Sequence, residues 1–92
     1  MSVSYDPRKN AENIAKHGVS FADIAAFEWR DAVTLEDDRF DYGETRYISY
    51  GMVRKRLHVL VWTPRDAKKR WISFRKANKR ERMEYEKEKN VQ

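Results

Sequence analysis

Two histidines, twenty lysines and arginines, fifteen carboxylates and five tyrosines are the side chains of this 92-residue chain that can move a proton or hold a charge. There is no cysteine, which excludes thiol nucleophiles, disulfides and cysteine-based zinc sites. Gly18, Gly43 and Gly51 stand alone, so no glycine-rich loop can cradle a phosphate. No histidine and carboxylate cluster at metal-ligand spacing, and no nucleophile elbow is present, so neither a metal nor a cofactor is expected. The set that remains suits metal-free cleavage of RNA. There the ribose 2′-OH is the internal nucleophile. The protein need only orient it, take its proton, hold the charge on phosphorus and assist the leaving 5′-oxygen. Arginine fits the third task because its fork grips two phosphate oxygens at once.

Each candidate has a plainer reading beside the chemical one. His17 falls in the last turn of an expected helix, where a histidine also complements free carbonyls. Lys9 falls in the first turn of the same helix, an unfavourable place for a cation and so a hint of use. His58 alternates with Leu60 and Trp62 and reads as a packed strand histidine. Arg65 follows a turn, and Arg75 ends a strand beside Lys76; these three are candidates for holding phosphate. Glu44 reads equally as a base or as the ion-pair partner of Arg46. Lys68, Lys69 and Arg70 extend the basic run along the RNA. Lys79, Arg80 and Arg82 suit a solvated helix face, with Lys79 and Arg80 within reach of a backbone. Phe21, Phe27, Trp29 and Trp62 read as core, whereas Trp71 and Tyr85 are placed to stack on bases.

Charge is distributed unevenly. Residues 1–27 are neutral, residues 28–46 carry seven acids against three bases, and Arg54 to Lys89 carry fourteen bases against five acids. The stretch from Arg65 to Lys76 has six bases and only Asp66 in opposition. A basic half beside an acidic middle implies a polyanionic partner at the basic end.

The elements that must position these residues fit one α+β domain over residues 1–92. A short strand at 2–5 precedes Asp6-Pro7, an acidic N-cap with proline at the first helical position. Ala11, Ile14 and Ala15 recur at helical spacing, and Lys16-His17-Gly18 closes the helix. Ser20 and Asp23 resemble a capping box opening a second helix to about Trp29, making a helical hairpin. Strands are expected at Ala32–Glu36, Thr45–Met52, Leu57–Thr63 and Arg70–Lys76, with an acidic loop at Asp37–Gly43 and a turn at Pro64-Arg65-Asp66. Asn78 and Glu81 form a capping box for a last helix with a weak apolar face, mainly Met83 and Tyr85. The sheet is expected to be antiparallel, with helices on one face and the other open to a ligand. Alternation puts Trp71, Ser73 and Arg75 on one side of the last strand and Ile72 and Phe74, as core, on the other. Nothing resembles a signal peptide or a membrane span, so the cytoplasm is the expected compartment.

Two separated stretches resemble a known family. Asp6-Pro7-Arg8-Lys9, Asn13 and Lys16-His17-Gly18-Val19-Ser20-Phe21 are similar to the N-terminal signature of BrnT-type toxins. Arg70-Trp71-Ile72-Ser73-Phe74-Arg75-Lys76-Ala77, with Glu81 and Tyr85, resembles the C-terminal signature of the same family. Glu44, Arg46 and Gly51 occupy its middle strand. Pro64 departs from an acidic residue usual before Arg65, and Trp71 and Phe74 are bulkier than usual. The resemblance covers nearly the whole chain. It implies a RelE-like fold, a ribonuclease that arrests translation and growth, and a neutralising antitoxin that also binds operator DNA. The expected reading is a metal-independent endoribonuclease with Lys9, His17, Arg65, Arg75 and Lys76 as catalytic candidates. The antitoxin is expected to cover the basic open face and the last helix. The rivals are a non-catalytic RNA- or DNA-binding module and a protein-binding subunit whose basic half docks an acidic partner.

Overall fold

Asp6 and Pro7 start a helix as their types require. The Asp6 carboxylate accepts from the Arg8 backbone N–H at 2.8 Å, and Gly18 closes the helix at φ 75° with its N–H on the Ile14 carbonyl at 2.8 Å. The computed structural model describes residues 3–90. Along the chain it contains strand β1 (Val3–Ser4), helix α1 (Pro7–His17), two short 3-10 segments (Phe21–Ala26 and Trp29–Asp31), and strand β2 (Val33–Glu36). Strands β3 (Tyr47–Val53), β4 (Arg56–Arg65) and β5 (Lys68–Lys76) follow, and helix α2 (Lys79–Asn90) ends the described chain. The first strand is thus shorter than the expected 2–5, and Ser2 lies outside the described residues. The five strands lie in the order β1-β5-β4-β3-β2, antiparallel except for β1, which adds parallel to β5.

Helix α1 presents a different face from the one its apolar spacing suggests. Ala11, Ile14 and Ala15 are exposed, Ile14 at 44%, and the residue turned inward is Asn13. Its amide donates to the Phe74 carbonyl at 2.7 Å, and its carbonyl oxygen accepts from the Phe74 N–H at 3.0 Å. Asn10 adds a bond from the Phe21 N–H at 2.8 Å. The helix therefore docks on the edge of β5 through directed hydrogen bonds rather than an apolar stripe.

The second helix of the expected hairpin is a 3-10 segment. Ser20 Oγ accepts from the Ala22 N–H rather than that of Asp23, and the Asp23 carboxylate turns away to Arg54 at 3.1 Å, so no reciprocal box forms. A spacing of three lines up Phe21, Ile24 and Phe27 in 3-10 geometry, and all three are buried against the sheet. Gly51 makes that contact possible: a Cβ there would meet the Phe27 ring at 2.4 Å.

The two β-hairpins turn on non-glycine pairs at positive φ, Arg54-Lys55 (48° and 68°) and Asp66-Ala67 (53° and 62°), as two-residue hairpin turns demand. Pro64 and Arg65 are consequently still in β4, paired with Lys69 and Lys68, and not in the turn where sequence placed them. Pro64 lies past Trp62, the last β4 residue paired with β3, so its missing N–H breaks no ladder bond with that strand.

Alternation along β5 is interrupted. A register shift at Val61/Trp62 leaves Ile72 without a β4 partner, so Trp71 and Phe74, three residues apart, face the same core. Trp71 is buried and its ring stacks near-parallel to Trp29 at 6.1 Å, whereas Ile72 is only half-buried. Nor is the second face of the sheet open. Helix α2 lies on it: Leu57, Val59 and Ala77 form a second core there, with Ile48, Tyr50, Met52 and Tyr85 against it. The last helix is fixed by its cap, in which Asn78 Oδ1 accepts from Glu81 N–H at 2.8 Å while Glu81 accepts from Asn78 N–H at 2.9 Å. At its far side the Tyr85 hydroxyl donates to the Asp31 carbonyl at 2.9 Å.

Candidate functional site

Helix α1 runs alongside β5, and this fixes where the candidates gather. Lys9, Glu12, Asn13, Lys16 and His17 line a shallow pocket with Ile72 and Ser73 at the bulge of β5. His17 is half-buried there. Burial, then the charges of Lys16 and Arg75, push its pKa below the usual 6.5, so the ring is neutral near pH 7. A neutral imidazole among cations is able to accept a proton, and the cations around it suit an anionic ligand.

Arg75 projects from the face covered by α2. Its two terminal nitrogens donate to the two oxygens of Glu81 at 2.8 and 2.7 Å, a bidentate pair with side chains 34% and 17% exposed. The hydrogen bond to Arg75 lowers the Glu81 pKa, and the same bond raises that of Arg75. Tyr50 lies close by, its pKa raised by burial and then by the Glu81 charge. The fork is thus already shaped for a two-oxygen anion, with a carboxylate in it.

Lys76, the last residue of β5, turns to the other face. It pairs with His58 in register and lines a cleft with Val19, Asp23, Val53, Arg54, Arg56 and His58. His58 is buried, as its strand spacing suggests, with its ring stacked on Phe74 at 5.0 Å and its Nδ1 bonded to the Arg56 carbonyl at 2.8 Å. One end of the molecule therefore collects Lys16, His17, Arg54, Arg56, Arg75 and Lys76 around the C-terminal tip of β5. Lys79 and Arg80, both exposed, begin α2 just beyond it.

The remaining candidates lie elsewhere. Arg65 pairs with Lys68 at the opposite tip of the hairpin. Lys68 precedes Arg75 by seven residues in one strand, which at about 3.3 Å per residue is roughly 20 Å. Arg65 and Arg75 do not share one phosphate. Lys69 sits over the rings of Trp29 and Trp62 at 4.8 and 5.3 Å, and Arg70 is half-buried beside it. Trp71, placed in the core by the bulge, has no free face for a base. Tyr85 packs on the sheet with its hydroxyl engaged. Glu44 is the ion-pair partner of Arg46 at 3.0 Å. Sequence reasoning passed over Arg54, Arg56 and Lys16. Arg54 lies in a turn that no glycine marks and Arg56 follows it, and their signal was the register that sets His58 opposite Lys76.

Among the described residues no three His, Asp or Glu side chains come together in a way that would hold a metal ion. No helix among them is long and apolar enough to cross a membrane. The family model for a ribonuclease toxin, BrnT, of type II toxin-antitoxin systems matches residues 5–81, from the start of α1 to the first turn of α2. No curated protein matches the chain.

Proposed function

Because the chain belongs to the family of BrnT ribonuclease toxins of type II toxin-antitoxin systems, we propose that it is a metal-independent endoribonuclease whose active site is the tip of β5. Membership brings an RNA substrate and an antitoxin partner. Our reading adds that it acts in the cytoplasm as one RelE-like domain and that cutting RNA arrests translation and growth. The observation that carries it is the gathering of His17 with Lys9 and Lys16 in one pocket at the α1–β5 edge, where burial and the charges of Lys16 and Arg75 lower the histidine's pKa. His17 takes the 2′-OH proton, with Lys9 in the same pocket as the alternative group for proton transfer. The 2′-oxygen attacks phosphorus, the bond to the 5′-oxygen breaks, that oxygen takes a proton from Lys9 or from solvent, and a 2′,3′-cyclic phosphate and a 5′-hydroxyl result. Arg75 holds the phosphoryl oxygens as charge builds on them, and Lys76, on the other face of the strand end, adds its positive charge to the tip. Arg65, Lys68, Lys69, Arg70, Lys79 and Arg80 guide the flanking backbone. The antitoxin, a DNA-binding protein, is assigned the basic tip and the exposed side of α2, where Met83 is 60% exposed.

The test is cleavage of single-stranded RNA by the purified protein in excess EDTA, with the 3′ ends analysed. Products ending in 2′,3′-cyclic phosphate are expected. Activity abolished by the chelator and restored by magnesium overturns the mechanism.

A further inference from the structure

Apart from Lys76, the lining of the cleft beside His58 is not used by this mechanism, yet its cavity is the larger of the two, about 320 Å³ against about 150 Å³, within the range of small-ligand sites. Three cations, Arg54, Arg56 and Lys76, face it against one carboxylate, Asp23, which reaches Arg54 at 3.1 Å. Val19 and Val53 supply apolar walls. At its floor is His58. A carbonyl oxygen only accepts, so the 2.8 Å contact to Arg56 places the proton on Nδ1 and leaves Nε2 as the acceptor. The ring cannot swing away, being stacked on Phe74 at an interplanar angle of 19°. Burial, with the Lys76 and Arg56 charges, lowers its pKa despite the raising effect of the Arg56 carbonyl and of Asp23, so Nε2 stays unprotonated near neutral pH. A fixed acceptor of this kind has no use for a phosphate oxygen, which is also an acceptor. It calls for a ligand that donates one hydrogen bond while carrying negative charge nearby.

We propose that this cleft is a ribonucleotide subsite, in which Arg54, Arg56 and Lys76 hold a phosphate and His58 Nε2 accepts a hydrogen bond from the ribose 2′-OH. The 2′-OH is the group that separates RNA from DNA, so His58 is a specificity-determining residue for the substrate class. Lys76 belongs to both sites and sets one RNA strand across the tip of β5. This inference rests on the ribonuclease reading for its substrate, and it concerns binding alone.

The experiment is a titration of the intact protein, followed by the His58 Cε1–H resonance, with adenosine 3′-monophosphate, its 2′-deoxy analogue and inorganic phosphate, all in EDTA. The ribonucleotide is expected to shift the His58 signal and to bind about tenfold more tightly than the deoxy analogue, the size of one buried hydrogen bond. Arg56→Ala, an exposed change, is expected to weaken both nucleotides and preserve their ratio. His58→Phe keeps a ring on Phe74 and, followed through the backbone amide signals of Arg54, Arg56 and Lys76, is expected to bring the ratio to one. Equal binding of the two nucleotides, or inorganic phosphate matching them, reduces the cleft to a plain anion site and overturns the inference. A silent His58 signal overturns it as well. If the same preparation still cleaves RNA, only the subsite has failed; if the ribonucleotide is selected but no RNA is ever cut, the ribonuclease reading has failed instead.

Discussion

Both terminal nitrogens of Arg75 are held by Glu81, so a phosphate arriving at that fork displaces a carboxylate rather than water. Replacing Arg75 with Ala is expected to lower RNA cleavage by on the order of a hundredfold or more, the loss seen when one donor to a developing oxyanion is removed. Stability falls by only about 1 kcal/mol, because the pair is partly exposed and solvent-screened, and Asn78 still caps α2. Arg75→Lys rescues poorly, since an ammonium cannot hold two oxygens in a plane. Arg80→Ala, at a side chain 87% exposed, costs little. Full activity or global unfolding of Arg75→Ala refutes the assignment. That Arg75 lies opposite Phe74 was legible in the period-two pattern. That Trp71 does not share its side was not, because a bulge leaves no mark in the residue types around Ile72. Glu81 was visible as a capping residue, but the meeting of helix cap and strand arginine belongs to neither pattern alone.

The elements whose ends are written in local chemistry were read closely: α1 from Asp6-Pro7 to Gly18, and α2 from Asn78 and Glu81. Elements shaped by what they pack on were not. The 3-10 form of Phe21–Ala26 and the inward face of α1 follow from contacts to the sheet, and Asn13 has no apolar period to betray it. The acidic loop expected at Asp37–Gly43 is also more than a loop. Its first residue has a side chain only 1% exposed, with both Asp37 oxygens on Arg39 at 2.8 and 2.9 Å and the Tyr42 hydroxyl donating at 3.1 Å. The Arg39 hydrogen bonds, aided by Tyr42, pull its pKa from 3.8 to about 2 against the cost of burial. Between those values the unfolded chain binds more protons than the folded one. Stability is therefore present above pH 4 and lost as pH falls toward 2, by about 2 kcal/mol. Urea unfolding from pH 5 to pH 2 is expected to show this loss, and Asp37→Asn to start less stable and to lack it. Parallel pH curves for the two proteins would remove Asp37 as the cause.

Across the whole molecule the charge asymmetry of the sequence becomes an asymmetry of the sheet. From β2 to β5 the strand order follows the chain, so the acidic segment 28–46 lies toward the β2 edge and the basic half toward β5 and the hairpin tips. RNA binding is accordingly expected to weaken steeply with salt, log K falling by about 0.7 per phosphate contact against log salt on single strands. A binding curve indifferent to ionic strength, measured by fluorescence anisotropy, contradicts this arrangement. The edge where the bases gather has one more property. β1 covers only Lys69 and Arg70 of β5, and further along the strand Phe74 has both its N–H and its C=O held by the Asn13 amide. Asn13 is a side chain standing in for a strand. A second copy of the chain arriving at this edge of β5 finds that position taken, so strand-on-strand pairing is obstructed there by a single carboxamide.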